Sequence, residues 1–178
     1  IGYLFPKAHA VAYVMMAFRI AWFKVHYPLA FYATFFSIRA KAFDAEYCCA
    51  GIEAVKRKIR EIENNKDATA VEQNLMVTLE VCYEFYLRGF HFDTIDIYKS
   101  DATNFLITEN GLLPPFVSVR GLGESAAYAT VEQRKGKSFL SIEEFAACCN
   151  KLSKTHVEQL KGLGALAGMP ETSQITFF

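Results

Sequence analysis

Two short stretches of this chain carry residues whose types and spacing suit the binding of a phosphate. In Val119-Arg120-Gly121-Leu122-Gly123-Glu124-Ser125-Ala126-Ala127, two glycines straddle one apolar residue just ahead of a helical pattern rich in small residues. Gly121 permits a tight turn, and Gly123 lets the backbone approach an anion with no Cβ in the way. The N–H groups opening the next helix then point at the anion, assisted by the helix dipole. A contact of this kind grips a nucleic-acid backbone and reads no base sequence. The downstream cluster Arg134-Lys135-Gly136-Lys137 adds cations to it. A poorer copy, Leu160-Lys161-Gly162-Leu163-Gly164-Ala165-Leu166, reads equally well as a helix that ends on glycine. In the second stretch, Phe5-Pro6-Lys7-Ala8-His9, two nitrogen side chains fall in a first helical turn, beside N–H groups without intrahelical partners. Tyr13 follows His9 by one turn on the same face. From spacing alone, a solvated lysine and a capping histidine account for this second stretch better than a phosphate does.

A third segment, Gln174-Ile175-Thr176-Phe177-Phe178, sets two terminal aromatics behind a glutamine. That is an apolar anchor with a polar handle, which suits docking into a partner's pocket. A tail folded back on its own core would look the same. Catalytic constellations are absent from the sequence. Asp93 and Asp96 fall three apart on an expected strand and so face opposite sides. Glu61/Glu63 and Glu143-Glu144 read as solvated faces, and His9, His26, His91 and His156 adjoin no Cys or Ser nucleophile motif. No P-loop or dinucleotide fingerprint occurs. The five cysteines, Cys48, Cys49, Cys82, Cys148 and Cys149, include two adjacent pairs but no Cys-x-x-Cys half-site, and read as free thiols.

The elements that must position these residues are mostly helical. Pro6 to His26 reads as one helix, begun by Pro6 and ended by Pro28. It is apolar nearly all round, which predicts burial. A second helix runs from Pro28 to Ile38, a third from an N-cap at Asp44 to about Asn64, and a fourth from Ala68 to Arg88, closing on Gly89. The period then changes. Phe90 to Ile97 reads as strand, and Asn104–Thr108 and Leu112–Val119 flank Asn110-Gly111, a strong hairpin signal. After Gly121, two or three short helices precede an extended tail that starts near Met169. The expected fold class is mainly α with a small β hairpin or connector. The expected organisation is a helical segment over 1–89, a β connector over 90–115, a hairpin-bearing helical module over 116–168 and a tail over 169–178.

Composition bounds the function without naming it. The 178 residues are 52% hydrophobic and 21% charged, with 19 basic side chains against 19 acidic ones. Disorder throughout is excluded, because disordered chains combine low hydrophobicity with high net charge. Neutrality gives no general argument for a nucleic-acid partner; residues 120–161 carry seven Lys or Arg against five Glu, so binding there must lean on backbone N–H groups. The apolar run from Ala8 to Phe23 falls short of the roughly 20 residues that cross a bilayer, which predicts a soluble chain with no membrane partner.

The hairpin motif resembles that of the helix-hairpin-helix family. Three separated segments together resemble one larger family. Phe5-Pro6-Lys7-Ala8-His9-Ala10-Val11-Ala12-Tyr13 and its continuation Arg19 to Pro28 are similar to the fingers-domain motif of the C-family bacterial replicative DNA polymerases, the PolC-type polymerase III of low-GC Gram-positive bacteria. Leu113 to Glu124 resembles their duplex-binding hairpin, and Gln174 to Phe178 resembles the pentapeptide by which they hold the sliding clamp. The resemblance implies a helical fingers-like bundle followed by a helix-hairpin-helix module, from the C-terminal part of a cytoplasmic replisome enzyme. It implies that Lys7, His9 and Tyr13 face the incoming deoxynucleoside triphosphate, reversing the reading from spacing. Val119, Arg120, Gly121, Leu122, Gly123, Glu124 and Ser125 would grip duplex DNA, and Gln174, Ile175, Thr176, Phe177 and Phe178 would bind the clamp. Catalysis would belong to a palm domain upstream of Ile1, where carboxylates hold Mg²⁺, so none is expected of this stretch alone. Arg120 stands where the family usually has proline and Phe177 where it has leucine, and residues 41–60 match poorly. The alternative is a free-standing, non-catalytic helix-hairpin-helix adaptor that binds DNA.

Overall fold

The computed structural model describes residues 6–173. Helix α1, Lys7–His26, starts after Pro6, which supplies no side-chain cap, and stops before Pro28. Pro28 lacks an N–H and opens α2, Pro28–Ile38, from the N1 position. None of α1 is buried, which overturns the expectation of a buried helix. A helix apolar all round needs neighbours on every side, and among the described residues this one is anchored at its C-terminal end, by α2 and by Glu84 and Arg88 at the end of α5. Val11, Tyr13, Phe18 and Val25 therefore stay exposed. The sequence-based length argument is corrected too. At 20 residues, α1 is long and apolar enough to cross a membrane, although length and composition do not separate a membrane span from a helix that packs on protein.

The next segment is broken where one helix was expected. Asp44 does cap a helix, its side chain accepting from the Glu46 N–H at 3.0 Å. That helix, α3, covers only Ala45–Cys48. Gly51 then turns the chain through φ +92°, a left-handed conformation that ends one helix, before α4, Ile52–Asn64, begins. Helix α5, Ala70–Leu87, has a capping box in which Thr69 and Glu72 satisfy each other's backbone N–H groups. It closes at Gly89, where the Phe90 N–H reaches back to the Phe85 carbonyl and the two rings stack 5.3 Å apart.

Three short strands follow: β1, His91–Phe92, β2, Leu106–Ile107, and β3, Gly111–Leu113, in the order β1-β3-β2. β2 and β3 form the antiparallel hairpin signalled by Asn110-Gly111, with Leu106 opposite Leu113. β1 pairs parallel to β3, with His91 opposite Gly111. A Cβ on Gly111 would collide with the His91 carbonyl oxygen, so the close pairing there needs glycine. The strands are shorter than expected. β3 stops at Leu113 because Pro114 and Pro115 cannot donate to a ladder, and a 3-10 turn, Phe116–Ser118, takes over. Helices α6, Glu124–Gln133, α7, Ile142–Cys148, and α8, Lys154–Gly162, complete the fold.

A single core runs from Tyr32 of α2 to Leu166. Its centre is aromatic: Tyr32, Phe36, Phe43, Phe85, Phe92 and Phe105 contact one another at ring separations such as 4.7 Å for Phe85–Phe92 and 4.8 Å for Phe43–Phe105. Each such side chain, fully buried, contributes about 1.5–3 kcal/mol. The five cysteines are free thiols, buried or half-buried. Burial pushes the Cys49 and Cys82 thiols up, as expected of inert core residues.

Candidate nucleic-acid interface

The hairpin begins at the 3-10 turn. The Val119 N–H donates to the Phe116 carbonyl, and the Leu122 N–H donates to the Val119 carbonyl, both at 3.0 Å. The second bond closes a four-residue turn whose third residue, Gly121, sits at φ +78°. That position requires the left-handed region and so favours glycine. Val119 and Leu122 are 1% and 3% exposed, so they hold the turn to the core and present nothing to a partner. Arg120, Gly121, Gly123, Glu124 and Ser125 face outward. Buried Ala127, behind them, lets α6 lie close to the core.

Gly123 is the N-cap of α6 and stands at φ −75°, ψ 157°, extended backbone that any residue adopts. A Cβ built there would meet nothing within 4 Å. Neither strain nor crowding within this chain requires glycine at this point. No side chain caps α6 either, so its first turn offers N–H groups and the positive end of the helix dipole outward. The hairpin forms one wall of a cleft of about 770 Å³, whose rim also carries Lys41, Lys58 and Arg120 against Asp44, Glu72 and Glu124. Basic and acidic groups balance there, as along the whole chain.

The basic cluster that followed the motif in sequence is largely spent elsewhere. Arg134 is 9% exposed. Its guanidinium donates to the carbonyls of Ile97 (2.7 Å) and Ser100 and lies 5.2 Å over the Phe116 ring. Burial lowers its pKa, against Asp96 and Asp101, which raise it. Arg134 is thus a brace that ties the turn at 96–100 and the 3-10 turn to α6. Lys135 pairs with Glu132 at 2.6 Å, and Lys137 donates to the Cys148 Sγ at 3.0 Å. The second glycine pair terminates a helix. Gly164 is left-handed at φ +82°, its N–H bonds the Lys161 carbonyl, and the Ala165 N–H bonds the Leu160 carbonyl.

At the other candidate site, Lys7, His9 and Tyr13 are all exposed on α1. The His9 and Tyr13 rings meet edge-on with centroids 4.5 Å apart. Pro6 gives the helix start no side-chain cap. The residues that anchor α1 were not singled out from sequence. Lys24 lies 2.7 Å from the Glu84 carboxylate, the Tyr32 hydroxyl donates to the same carboxylate, and Arg88 donates to the Lys24 carbonyl at 3.0 Å. The sequence signal is the spacing of Glu84, on α5, and Arg88, its C-cap, one turn apart.

Asp93 and Asp96 do not converge. Asp93 lies 3.0 Å from the His91 Nε2, and Asp96 accepts from the Tyr98 and Lys99 N–H groups in its own turn. Among the described residues no three His, Cys, Asp or Glu form a group that could hold a metal ion. Phe5 and the expected clamp-binding residues Gln174 to Phe178 lie outside the described residues. The start of the tail is inside them. The Pro170 and Glu171 carbonyls accept from the Ile142 and Glu143 N–H groups at 2.9 and 3.0 Å, capping α7, and Glu171 pairs with Lys161.

Residues 89–174 match a family model described as a helix-hairpin-helix motif. The whole chain is similar to part of DNA polymerase III PolC-type from several bacteria. It is 52% identical to that of Caldanaerobacter subterraneus subsp. tengcongensis over 179 residues, 49% identical to that of Lactococcus lactis subsp. lactis over 179 residues, and 49% identical to that of Thermotoga maritima over 178 residues. Each match takes in 100% of this chain but only 11–13% of the relative.

Proposed function

We propose that this chain is the C-terminal part of a PolC-type replicative DNA polymerase, comprising a segment of the fingers, a duplex-binding helix-hairpin-helix module and a clamp-binding tail. The parent would be a DNA-directed DNA polymerase of the bacterial cytoplasm, extending primers from deoxynucleoside triphosphates. Mg²⁺ in its palm would supply the charge stabilisation that nucleotidyl transfer needs. The observation that carries the DNA reading is the open face at Gly121–Gly123. A turn held by buried Val119 and Leu122 presents an uncapped helix start with space for a phosphate where a side chain would otherwise stand. Binding of this kind is sequence-blind and salt-dependent.

The identity to PolC-type polymerases extends through residues 1–88, ahead of the helix-hairpin-helix match. A free-standing adaptor gives no reason for that extension. It supports the assignment of Lys7, His9 and Tyr13 to the triphosphate of the incoming nucleotide, where cationic and hydrogen-bonding groups at a helix start suit phosphate oxygens. It also favours α1 as a helix that packs within a larger protein over one that enters a membrane. The segment Gln174 to Phe178 would dock on the sliding clamp and raise the effective concentration of enzyme on DNA. The root of that tail is tied to α7 at Pro170 and Glu171, a fixed base for a short docking peptide.

The test of the duplex reading is Gly123→Val in the full-length protein. Most duplex affinity should be lost across sequences, while folded stability falls by no more than about 1 kcal/mol, the cost of a poorer N-cap. Unchanged affinity would remove the hairpin from the interface.

A further inference from the structure

Resting on the duplex-binding reading of the hairpin, we propose that Lys41 is a further DNA-backbone contact, held by Glu124 in the unbound protein and released to a phosphate when a duplex docks. Lys41 lies in the 3-10 turn Ala40–Ala42, outside the residues matched as a helix-hairpin-helix motif and inside a region for which the family resemblance implied nothing. The fold brings it to the hairpin. Its Nζ stands 3.0 Å from a carboxylate oxygen of Glu124, the first residue of α6, and both residues line the cleft that Gly121 and Gly123 border.

Exposure and a weak partner single out Lys41 among the cations of this cleft. Its side chain is 77% exposed and that of Glu124 48%, so the pair is solvent-screened and weakly held. Lys58, by contrast, is 12% exposed, bound to Glu61 at 2.7 Å and seated 4.8 Å over the Tyr47 ring, so it is committed to the fold. Arg120 belongs to the hairpin itself. The Lys41 ammonium stands beside the carboxylate of the residue that opens α6, on the cleft that the hairpin lines. A phosphate seated there meets both the α6 N–H groups and the ammonium. The Glu124 carboxylate competes for the same ammonium without reproducing the contacts to a duplex. Lys41 therefore exchanges one anion for another, and Glu124 keeps the unbound cleft near neutral.

The experiment measures duplex affinity by fluorescence anisotropy across a salt series, using the full-length protein and its Lys41→Gln, Lys41→Arg, Glu124→Gln and Gly123→Val variants, each checked for an unchanged melting transition. Lys41→Gln should weaken binding several-fold on every sequence and reduce the slope of log affinity against log salt by about one. Lys41→Arg should restore both, and Glu124→Gln should tighten binding. If Lys41→Gln keeps wild-type affinity and slope while Gly123→Val abolishes binding, the Lys41 contact is wrong and the hairpin reading stands. If Glu124→Gln leaves affinity unchanged while Lys41→Gln weakens it, the release step is wrong. If Gly123→Val binds like wild type, the hairpin reading fails and this proposal fails with it.

Discussion

The hydroxyl of Tyr32, a residue with no exposed surface, donates a 2.6 Å hydrogen bond to the Glu84 carboxylate across a gap of 52 positions in sequence. The same carboxylate holds Lys24 of α1. Burial pushes the Tyr32 pKa up to about 12, and its hydrogen bond to Glu84 adds to that rise. For Glu84, burial acts upward but the hydrogen bonds from Lys24 and Tyr32 outweigh it, leaving the carboxyl below its usual value. This network is the tie between the exposed α1 and the aromatic core.

The two shifts give opposite pH dependences. A lowered carboxylate contributes stability that is present above its unfolded pKa and lost as pH falls through the lower folded value. A raised tyrosine contributes stability that is present below the ordinary value of 10 and lost as pH rises through about 12. Tyr32→Phe should cost about 1–2 kcal/mol at neutral pH and flatten the alkaline limb of the stability profile. Glu84→Gln should flatten the acid limb. Urea unfolding at a series of pH values checks both.

Gly123 and Gly121 should separate function from folding. Gly123→Asp places a preferred N-cap residue on α6 where the backbone is already extended and the space is open. Stability should hold or rise by a few tenths of a kcal/mol, while duplex affinity falls through crowding and charge. Gly121→Ala should cost about 1–2 kcal/mol, because φ +78° is left-handed. Denaturant midpoints and anisotropy on the same preparations read the two effects.

Arg134→Gln tests the brace. It leaves the Ile97 and Ser100 carbonyls without their guanidinium partner, at a cost of about 2–4 kcal/mol. A residue that neutralised a phosphate would instead reduce the salt slope of DNA binding by about one. The folded fraction of Arg134→Gln should keep the wild-type slope. A drop of one would return Arg134 to the interface.

The polymerase reading predicts two effects in the full-length protein. Lys7→Ala should raise the nucleotide KM or lower kcat, and if neither moves, the start of α1 serves structure alone. Deleting Gln174 to Phe178 should eliminate clamp binding in a pull-down while sparing duplex affinity. Equal clamp affinity after deletion would exclude the tail.

What the sequence determined by itself is local. Pro28 divides α1 from α2, Gly89 ends α5, Asn110-Gly111 builds the β2–β3 hairpin and Gly121 shapes the turn into α6. Each depends on a missing N–H, a missing Cβ or a side chain that bonds its own backbone neighbours. The mainly helical class follows from the same signals, and the grouping of Val119 to Ser125 as one motif was legible too. The division of labour within that motif is tertiary, since Val119 and Leu122 turn inward only because the core lies behind them.

Tertiary structure alone decided the fate of the long charged side chains. Arg134, adjacent to Lys135 and three residues from Lys137 in sequence, is withdrawn into the fold by carbonyls 34 and 37 positions away. Lys41 and Glu124 meet across more than 80 positions. Helix α1, apolar enough to demand burial, has no buried residue, and among the described residues its anchors are α2 and the end of α5. A turn depends on its nearest neighbours, but whether a cation braces a core or faces a partner depends on which distant surface the fold lays beside it.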